Sequence, residues 1–346
     1  MTLSEIPAGH TPGDAWEVCE PEEEGIDSNA LDEGLSRFAA VCGELGVRRA
    51  VVVRGGRIIW SGGEEGVRVP VYSCTKSFLS ACLGLLWDDG RCSPDDLAWR
   101  YHPPLQECYP AVTLRHLATF TSGYNHSTES VLRPAAPLFA PDEAFHYSDQ
   151  SDLLAWILTR IAGESLRSLF QRRIGDRIGL RADEWEWRTQ GMEDGVEVNG
   201  GTGFEQSGVW ISAKGLARFG WLAARLGDWS GRQLVSRRYF AYAGRPLVPA
   251  TTPPHDPTAW YNRLPGAYGL NWWVNGITAD GRRLIGTAPP DLFMAQGNKN
   301  SICFILPSWR MTLVRVGPDV IVWPRAFEAA FAQLASAVRQ DVNPSS

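Results

Sequence analysis

A serine and a lysine three residues apart form the first candidate catalytic pair of the sequence. Ser73 and Lys76 stand where an extended segment, residues 67–72, gives way to a predicted helix. Residues i and i+3 share one face of a helix, so the hydroxyl and the amine can reach each other. A serine hydroxyl becomes a good nucleophile when a neighbouring base accepts its proton. This Ser-x-x-Lys spacing therefore predicts nucleophilic catalysis.

Lysine is a rare residue in this chain, which makes Lys76 conspicuous. The 33 basic residues include only three lysines, Lys76, Lys214 and Lys299, and the others are arginines. A lysine, unlike an arginine, can lose its proton near neutral pH when burial lowers its pKa. The apolar run at residues 78–86 predicts a buried helix that would desolvate Lys76. Lys76 is thus a candidate general base.

Two later segments offer further catalytic groups. Tyr147 precedes a predicted helix at residues 151–162, and a tyrosine beside a lysine can carry protons. The alternative is that Tyr147 is a packed loop aromatic. Residues 293–298 precede an apolar strand, and a strand of small residues facing a cleft can supply a backbone N–H group to an oxyanion.

The elements that must position these groups change in type along the chain. Apolar residues at helical spacing predict helices at 27–45, 73–87, 113–120, 151–162, 213–226 and 325–338. Strands are expected at 49–54, 57–61, 268–274, 301–306 and 311–316, the first two joined as a hairpin at Gly55 and Gly56. We expect an α/β domain from residues 1–72 and 205–346, and a mainly helical domain from residues 73–204. The cleft would lie between them.

Composition excludes several classes of protein. The net charge of −6 and the absence of a basic cluster disfavour nucleic-acid binding. No apolar stretch approaches the roughly 20 residues that span a membrane, and residues 1–21 show no secretory signal. The seven cysteines are an odd number without a C-x-x-C pair, which disfavours a disulfide framework and a zinc site. A cytoplasmic location is expected.

Several motifs in order resemble the serine β-lactamase-like superfamily. They are the Ser73-x-x-Lys76 tetrad, Tyr147-Ser148-Asp149, and residues 113–123, 211–220, 268–275, 290–297 and 307–317. The nearest branch is the class C type, with esterases, D-amino-acid peptidases and 6-aminohexanoate-oligomer hydrolases. The resemblance covers residues from about 21 to about 334. It implies an α+β fold in which helices flank an antiparallel sheet built from both termini.

The resemblance also implies roles for individual residues. Ser73 would be the acylated nucleophile, Lys76 its proton acceptor, and Tyr147 the group that passes a proton to the leaving group. The oxyanion hole would combine the Ser73 N–H group with one from the late strand, at Ala295 or alternatively Gln296. No cofactor and no metal are implied.

Two departures from the family pattern bear on the substrate. Asp149 stands where the family commonly has asparagine, and its charge would raise the pKa of Lys76 unless it turns away as a helix N-cap. The Lys-Thr-Gly motif, which supplies a cation for a substrate carboxylate, is replaced at residues 292–294 by Leu-Phe-Met. Efficient β-lactam hydrolysis and DD-peptidase action are therefore not expected.

Other chemistries have weaker support. Cys74 would point about 100° away from Ser73 and is interpreted as packing. His146 invites a Ser-His-Asp interpretation, but the chain has no G-x-S-x-G elbow, and its histidines lack metal-ligand spacing. Of the 15 tryptophans, Trp272 and Trp273 are the expected acyl-pocket residues.

The leading hypothesis is a serine hydrolase that cleaves small carboxylic esters or linear amides through an acyl-enzyme. Two alternatives stay open. The acyl group could pass to an alcohol or amine acceptor, which would make the protein a transferase. A catalytically silent relative that binds a ligand in the same cleft is the other alternative, favoured by Asp149 and the missing third motif.

Overall fold

A computed structural model describes residues 9–338 of the 346-residue chain. Part of the segment in which no secretory signal was expected, residues 1–8, therefore lies outside the described residues, as do residues 339–346. The α-helices are α1 (Ser28–Val41), α2 (Thr75–Asp88), α3 (Leu105–Cys108), α4 (Leu114–Thr119), α5 (Gln150–Ala162), α6 (Leu166–Phe170), α7 (Ala213–Ala224), α8 (Arg237–Ala243) and α9 (Glu328–Ala337). Within the described range, no helix is both long and apolar enough to cross a membrane.

The strands are numbered in chain order, and six of them, from near both ends of the chain, form one sheet. The strands are β1 (Ala50–Arg54), β2 (Arg57–Ser61), β3 (Val69–Pro70), β4 (His126–Ser127), β5 (Ser130–Pro134), β6 (Glu186–Trp187), β7 (Thr189–Glu193), β8 (Val196–Asn199), β9 (Val209–Ile211), β10 (Asp228–Trp229), β11 (Arg232–Gln233), β12 (Trp273–Val274), β13 (Phe293–Gly297), β14 (Ser301–Leu306) and β15 (Met311–Arg315). The sheet order is β12-β13-β14-β15-β1-β2, and every neighbouring pair is antiparallel. The remaining strands pair in smaller sheets, of which β3-β9-β6 has three strands.

The two faces of this sheet belong to two hydrophobic cores. Because side chains alternate along a strand, Phe304 of β14 packs on one face while Cys303 and Ile305 pack on the other. The Phe304 face is covered by α1 and α9, and Phe38 of α1 lies edge-on to Phe304 with 6.0 Å between ring centroids. The opposite face is covered by α7. The sheet is thus a sandwiched layer, and the predicted α+β fold is confirmed.

Most of the predicted elements form close to the predicted positions, with three corrections. The helix expected at residues 27–45 ends at Val41, and Gly43, with a positive φ of 77°, follows it. The strand expected at residues 268–274 is only Trp273–Val274, because a turn closes between Gly269 and Trp272 and Asn271 has a positive φ of 57°. The last helix begins at Glu328, since a 3₁₀ turn over Pro324–Phe327 precedes it. The sheet comes from both ends and α2 to α6 from the middle. The domain boundaries themselves stay a prediction.

Helix α2 runs through the centre of the molecule and is almost wholly buried. All of its residues from Thr75 to Leu86 are buried, as the apolar run predicted. A polar network anchors its middle, because the Ser80 hydroxyl group lies 2.6 Å from the Leu270 carbonyl oxygen and 2.7 Å from the Tyr239 hydroxyl oxygen. The Trp272 indole also donates to Ser80, at 3.0 Å. The network fixes α2 against the β12 region and α8.

We expect Ser80→Ala to lower the free energy of unfolding by about 1–3 kcal/mol, because the buried Trp272 indole would lose its acceptor. Chemical denaturation followed by far-ultraviolet circular dichroism measures this change. Ser336→Ala, on the exposed face of α9, is the matched control and should stay within about 0.5 kcal/mol of the parent. Equal stabilities of the two variants would contradict the role given to this network.

Candidate active site

Ser73 lies in a 3₁₀ turn, Tyr72–Cys74, that leads directly into α2. Tyr72 has a positive φ of 49°, a strained conformation for a non-glycine residue. Two glycines lie very close to the backbone of this turn. A β-carbon added to Gly203 would lie 2.1 Å from the Tyr72 carbonyl oxygen, and one added to Gly297 would lie 2.1 Å from the Val71 carbonyl oxygen. Both built positions are also 3.0 Å from the Ser73 amide nitrogen. The Ser73 turn is thus held between two backbone segments.

Lys76 lies in the first turn of α2 with its amine next to the Ser73 hydroxyl. Its side chain is nearly enclosed, at 1% exposure. The Lys76 Nζ atom is 3.0 Å from Ser73 Oγ and donates to the Thr202 carbonyl oxygen at 2.5 Å. Ser73 Oγ itself is 3.4 Å from that same Thr202 oxygen. The predicted i, i+3 contact is therefore present in the folded chain.

Burial lowers the pKa of Lys76. Desolvation lowers the pKa of Lys76 from its ordinary value to about 7, and the carboxylate of Asp152 acts in the opposite direction, followed by Cys74 and Asp149. A pKa near 7 leaves a substantial fraction of the amine neutral at physiological pH. A pKa in this range is the one that a general base acting at neutral pH requires.

The Thr202 carbonyl group, which accepts a hydrogen bond from Lys76, is held in place by a buried carboxylate. Oδ1 of Asp152, in the first turn of α5, accepts hydrogen bonds from the Gly201 and Thr202 amides, each at 2.8 Å. Asp152 is 8% exposed, and this burial raises its pKa. The Thr202 hydroxyl also donates to the Asp149 carbonyl oxygen at 3.1 Å. Asp152 is thus a positioning residue that acts through the 201–202 backbone.

Tyr147 is brought to the same place by aromatic packing. Its ring stacks on Trp273 with 5.6 Å between centroids, and its amide donates to the buried Asn262 side chain at 2.8 Å. Lys76 Nζ lies 4.8 Å from the centre of the Tyr147 ring. Burial raises the pKa of Tyr147, while a hydrogen bond with Ser73 opposes the rise. The phenol is therefore protonated at neutral pH and can donate its proton to a leaving group.

Asp149 occupies the N-cap position of α5 but makes no capping hydrogen bond with its side chain. Its Oδ2 atom is 3.1 Å from Nε2 of His126, in β4. The side chain is 42% exposed and lines the cleft in front of Ser73. Asp149 does not cap the helix with its side chain. Its charge does raise the pKa of Lys76, as expected, but by less than burial lowers it.

The two residues predicted to complete an oxyanion hole lie in β13 but in different surroundings. Ala295 is buried, pairs with Cys303 of β14 and does not line the cleft. Gln296, Gly297 and Asn298 do line it. Because Gly297 packs against the Ser73 turn, the end of β13 is the part that approaches the Ser73 amide. The backbone there is where a second N–H donor would be found.

A cleft of about 390 Å³ opens in front of these groups. Trp260, Tyr261, Trp273 and Phe204 supply aromatic walls. Trp260 stacks on Trp273 at 6.3 Å between centroids. Trp273 therefore lines the cleft, as expected, whereas Trp272 lies in the core with its indole bonded to Ser80. The replaced third motif, residues 292–294, is buried and outside the cleft lining.

The other residues considered in the sequence lie elsewhere. Cys74 is buried and donates to the Ser301 carbonyl oxygen. His146 packs against His255, with 5.0 Å between ring centroids. A larger groove, of about 580 Å³, contains none of the candidate site residues, and its buried Arg218 is engaged by the carbonyl oxygens of residues 13, 14 and 178.

Sequence comparison defines the class of protein. Residues 37–316 match the Beta-lactamase family, and the chain belongs to this family. A comparison with curated proteins found no significant match.

Solved structures with the same fold resemble the chain over most of its length. A penicillin-binding protein homolog from Caulobacter crescentus has a TM-score of 0.67 at 15% identity, covering 91% of this chain and 99% of that one. A putative 6-aminohexanoate-dimer hydrolase from Bacillus anthracis has a TM-score of 0.61 at 17% identity, covering 95% and 88%. EstCE1, described as a hydrolase with promiscuous acyltransferase activity, has a TM-score of 0.63 at 14% identity, covering 90% and 98%.

Three residues that build the site were not found from the sequence. Asp152, Thr202 and Asn262 each act through contacts that span at least 49 positions of sequence. The sequence does contain one signal for Thr202, because glycines stand at positions 200, 201 and 203. Such a run indicates backbone that approaches another segment closely. Asp152 and Asn262 carry no comparable local signature.

The rate at which a fluorophosphonate labels Ser73 should follow the neutral fraction of Lys76. Because the pKa of Lys76 is lowered to about 7, the rate should rise about tenfold per pH unit below the midpoint and level off above it. Intact-mass spectrometry of timed samples measures the rate.

Asp152→Asn should move this midpoint to lower pH, because it removes a charge that favours the ammonium form yet keeps the Oδ1 acceptor. Asp194→Asn, in the exposed β7–β8 turn, is the control and should leave the midpoint in place. A rate independent of pH between about 5 and about 9 would contradict the role of Lys76.

Gly297→Ala should reduce labelling of Ser73 by on the order of 100-fold, because the new methyl group would displace the Ser73 turn. Gly195→Ala is the control, since open space surrounds Gly195. Its positive φ of 82° adds strain in the β7–β8 turn alone. If Gly297→Ala labels as fast as the parent, β13 does not set the position of Ser73.

Proposed function

We propose that the protein is a serine hydrolase that cleaves carboxylic esters or small linear amides through an acyl-enzyme on Ser73. The observation that carries this proposal is the enclosed Lys76 amine, 3.0 Å from Ser73 Oγ, with a pKa lowered to about 7. A nucleophile in contact with a base of matched pKa is the requirement for acyl transfer at neutral pH. Family membership supports hydrolysis as the class of reaction.

The proposed reaction begins when Ser73 Oγ bonds to the substrate carbonyl carbon and its proton moves to Lys76 Nζ. The negative charge on the former carbonyl oxygen is stabilised by the Ser73 N–H group and by backbone at the end of β13, with Ala295 or Gln296 as the donor expected from the sequence. The tetrahedral intermediate then collapses. The alcohol or amine leaves with a proton donated by Tyr147, which regains it from Lys76.

Water completes the proposed cycle in a second half-reaction. It attacks the Ser73 ester, and its proton returns through Tyr147 and Lys76 while Ser73 leaves as the hydroxyl. The carboxylic acid product then dissociates. Both half-reactions consist of acyl transfer and proton transfers that balance. The proposed reaction therefore requires no cofactor.

The lining of the cleft favours uncharged or cationic substrates over carboxylates. Among the described residues that line the cleft, Lys76 alone is basic. Its amine already bonds to the Ser73 hydroxyl and the Thr202 carbonyl oxygen. A β-lactam or a peptide C-terminus carries a carboxylate that would find no free cation there. Esters and internal amides do not have this requirement. The substrate we propose is therefore a small-molecule ester or amide, and the proposed location is the cytoplasm.

Acyl transfer is the second candidate activity. It uses the same acyl-enzyme with an alcohol or amine in place of water, and the aromatic walls formed by Trp260 and Trp273 could hold such an acceptor. The description of EstCE1 as a hydrolase with acyltransferase activity supports this candidate. Added alcohol that diverts product from acid to ester would identify it.

Mixing the protein with a p-nitrophenyl short-chain ester should release a burst of p-nitrophenol and give an acyl adduct on Ser73. Ser73→Ala and Lys76→Ala should each lose the burst, with steady rates reduced by at least about 1000-fold. Stopped-flow absorbance and intact mass measure the two quantities.

Ser122→Ala is the control, since Ser122 is a buried serine that bonds Gln150 outside the cleft. It should retain the burst and the adduct. A burst that survives Ser73→Ala would contradict the mechanism. The absence of burst and adduct with several esters would favour the binding-protein alternative.

A further inference from the structure

His126 makes contacts through both nitrogens of its ring. Its Nε2 atom lies 3.1 Å from Oδ2 of Asp149, and its Nδ1 atom lies 2.7 Å from the Ser127 carbonyl oxygen. A carbonyl oxygen and an ionised carboxylate accept hydrogen bonds and cannot donate them. A neutral imidazole has one N–H group and can satisfy only one of the two contacts. Beside an ionised Asp149, the geometry therefore requires the imidazolium form of His126.

The surroundings of His126 hold its ring in this position. The ring of Tyr124 stacks on it with 6.0 Å between centroids, and the Tyr124 hydroxyl donates to the Val131 carbonyl oxygen in β5. The His126 side chain is 24% exposed, so water screens it only in part. Glu129 and Arg133, the charged residues of the β4–β5 hairpin, pair with each other. Asp149 is therefore the carboxylate that His126 contacts.

The charge of Asp149 also acts on the proposed base. Asp149 and Lys76 both line the cleft, and this carboxylate opposes the fall that burial causes in the pKa of Lys76. Thr202 links the two residues, since its carbonyl oxygen accepts from Lys76 Nζ and its hydroxyl donates to the Asp149 carbonyl oxygen. A carboxylate paired with a cation at 3.1 Å acts more weakly on a third group, because the two opposite charges largely cancel at a distance.

Two other titratable groups lie within reach of Asp149, Tyr124 and His146. Burial is the larger influence on each, since it raises the pKa of Tyr124 and lowers the pKa of His146. Both shifts favour the uncharged side chain at neutral pH. Neither group therefore supplies a cation that could replace His126.

We propose that His126 is a positioning residue, which holds Asp149 in an ion pair and thereby favours the neutral form of the Lys76 amine. The inference rests on the proposed function for the role of Lys76 as a base, although the charge of Lys76 can be measured without turnover. It accounts for an aspartate at position 149, because His126 supplies the compensating charge. Without His126, the carboxylate would be free to turn toward the ammonium form of Lys76, which attracts it.

A lysine titration by nuclear magnetic resonance tests the proposal directly. The chain has only three lysines, so [ε-¹³C]lysine gives three signals, and Lys76→Arg identifies the signal of Lys76. The parent midpoint should lie at about 7. His126→Gln keeps an N–H donor and removes the charge, so it should raise the midpoint by about 1 pH unit. Labelling of Ser73 by a fluorophosphonate at about pH 6 should then slow roughly tenfold.

The same substitution in an Asp149→Asn background shows whether the carboxylate transmits the effect. There His126→Gln should move the Lys76 midpoint by less than about 0.3 pH unit, because no carboxylate is left to neutralise. A merely structural role of His126 would give equal shifts in both backgrounds. Equal shifts, or no shift beside Asp149, would overturn the proposal. Unchanged signals of Lys214 and Lys299 would show that the variants are folded.

His10→Gln is the matched control. His10 is exposed and also pairs with a carboxylate, since its Nε2 atom is 3.0 Å from Glu17, and neither residue lines the cleft. Its removal should leave the Lys76 midpoint in place. An equal rise in this variant would assign the effect of His126→Gln to general electrostatics and would contradict the ion-pair role.

Nitrogen-15 spectra of the histidine rings measure the charge of His126 itself. The chain has six histidines, and the signals that His126→Gln removes are those of His126. At about pH 7, where an ordinary histidine is mostly neutral, both of its ring nitrogens should carry protons. A ring with a single protonated nitrogen at that pH would overturn the proposal.

The ion-pair role and the proposed function fail in different ways. A burst on p-nitrophenyl acetate, together with a Lys76 midpoint that does not respond to His126→Gln, would overturn the ion-pair role and leave the hydrolase intact. A midpoint that responds, in a protein that gives no burst, would keep the ion pair and overturn the hydrolase. Measurement of both on one preparation therefore separates them.

Discussion

The enclosure of one lysine amine is the constraint on which this structure depends. Removing an ammonium group from water costs several kcal/mol even after the protein relaxes, and Lys76 is left with 1% of its surface exposed. The chain meets this cost with the Thr202 carbonyl oxygen, the Ser73 hydroxyl and the ring of Tyr147. The same burial that destabilises the charged form favours the neutral amine. Under the proposed function, the free-energy cost of this burial is what makes the amine reactive.

The elements packed around Lys76 keep its amine buried. Helix α2 is buried along its length, the backbone at residues 201–203 lies against its first turn, and β13 closes the other side. Asp152 fixes the 201–202 amides through one oxygen, which places its charge near enough to oppose the fall in the pKa of Lys76. The effect of burial on the pKa of Lys76 is larger than the effect of this charge. The carboxylate therefore moderates the pKa of the base while it orders the loop.

The parts of this arrangement that depend on local spacing could be predicted from the sequence. The Ser73–Lys76 contact follows from helical geometry, and most helices and strands follow from hydrophobic periodicity. Tyr147 required the family resemblance, because a loop aromatic has no spacing that assigns it. Asp152, Thr202 and Asn262 could not be predicted, since their roles arise when distant segments meet. The strand expected at residues 268–274 failed for a local reason: the positive φ of Asn271 closes a turn within an apolar stretch.

The residues proposed to react and part of the cleft wall come from different kinds of structure. Ser73, Lys76 and Tyr147 are held by α2, the entry to α5 and the end of β13, whereas Trp260 and Ile321 come from a 3₁₀ turn and a loop outside the main sheet. Loops accept insertions and substitutions far more readily than buried elements do. The proposed chemistry is consequently compatible with variation in these two segments. Under the proposed function, substitutions at Trp260 or Ile321 would change the cleft wall and leave the enclosed lysine untouched.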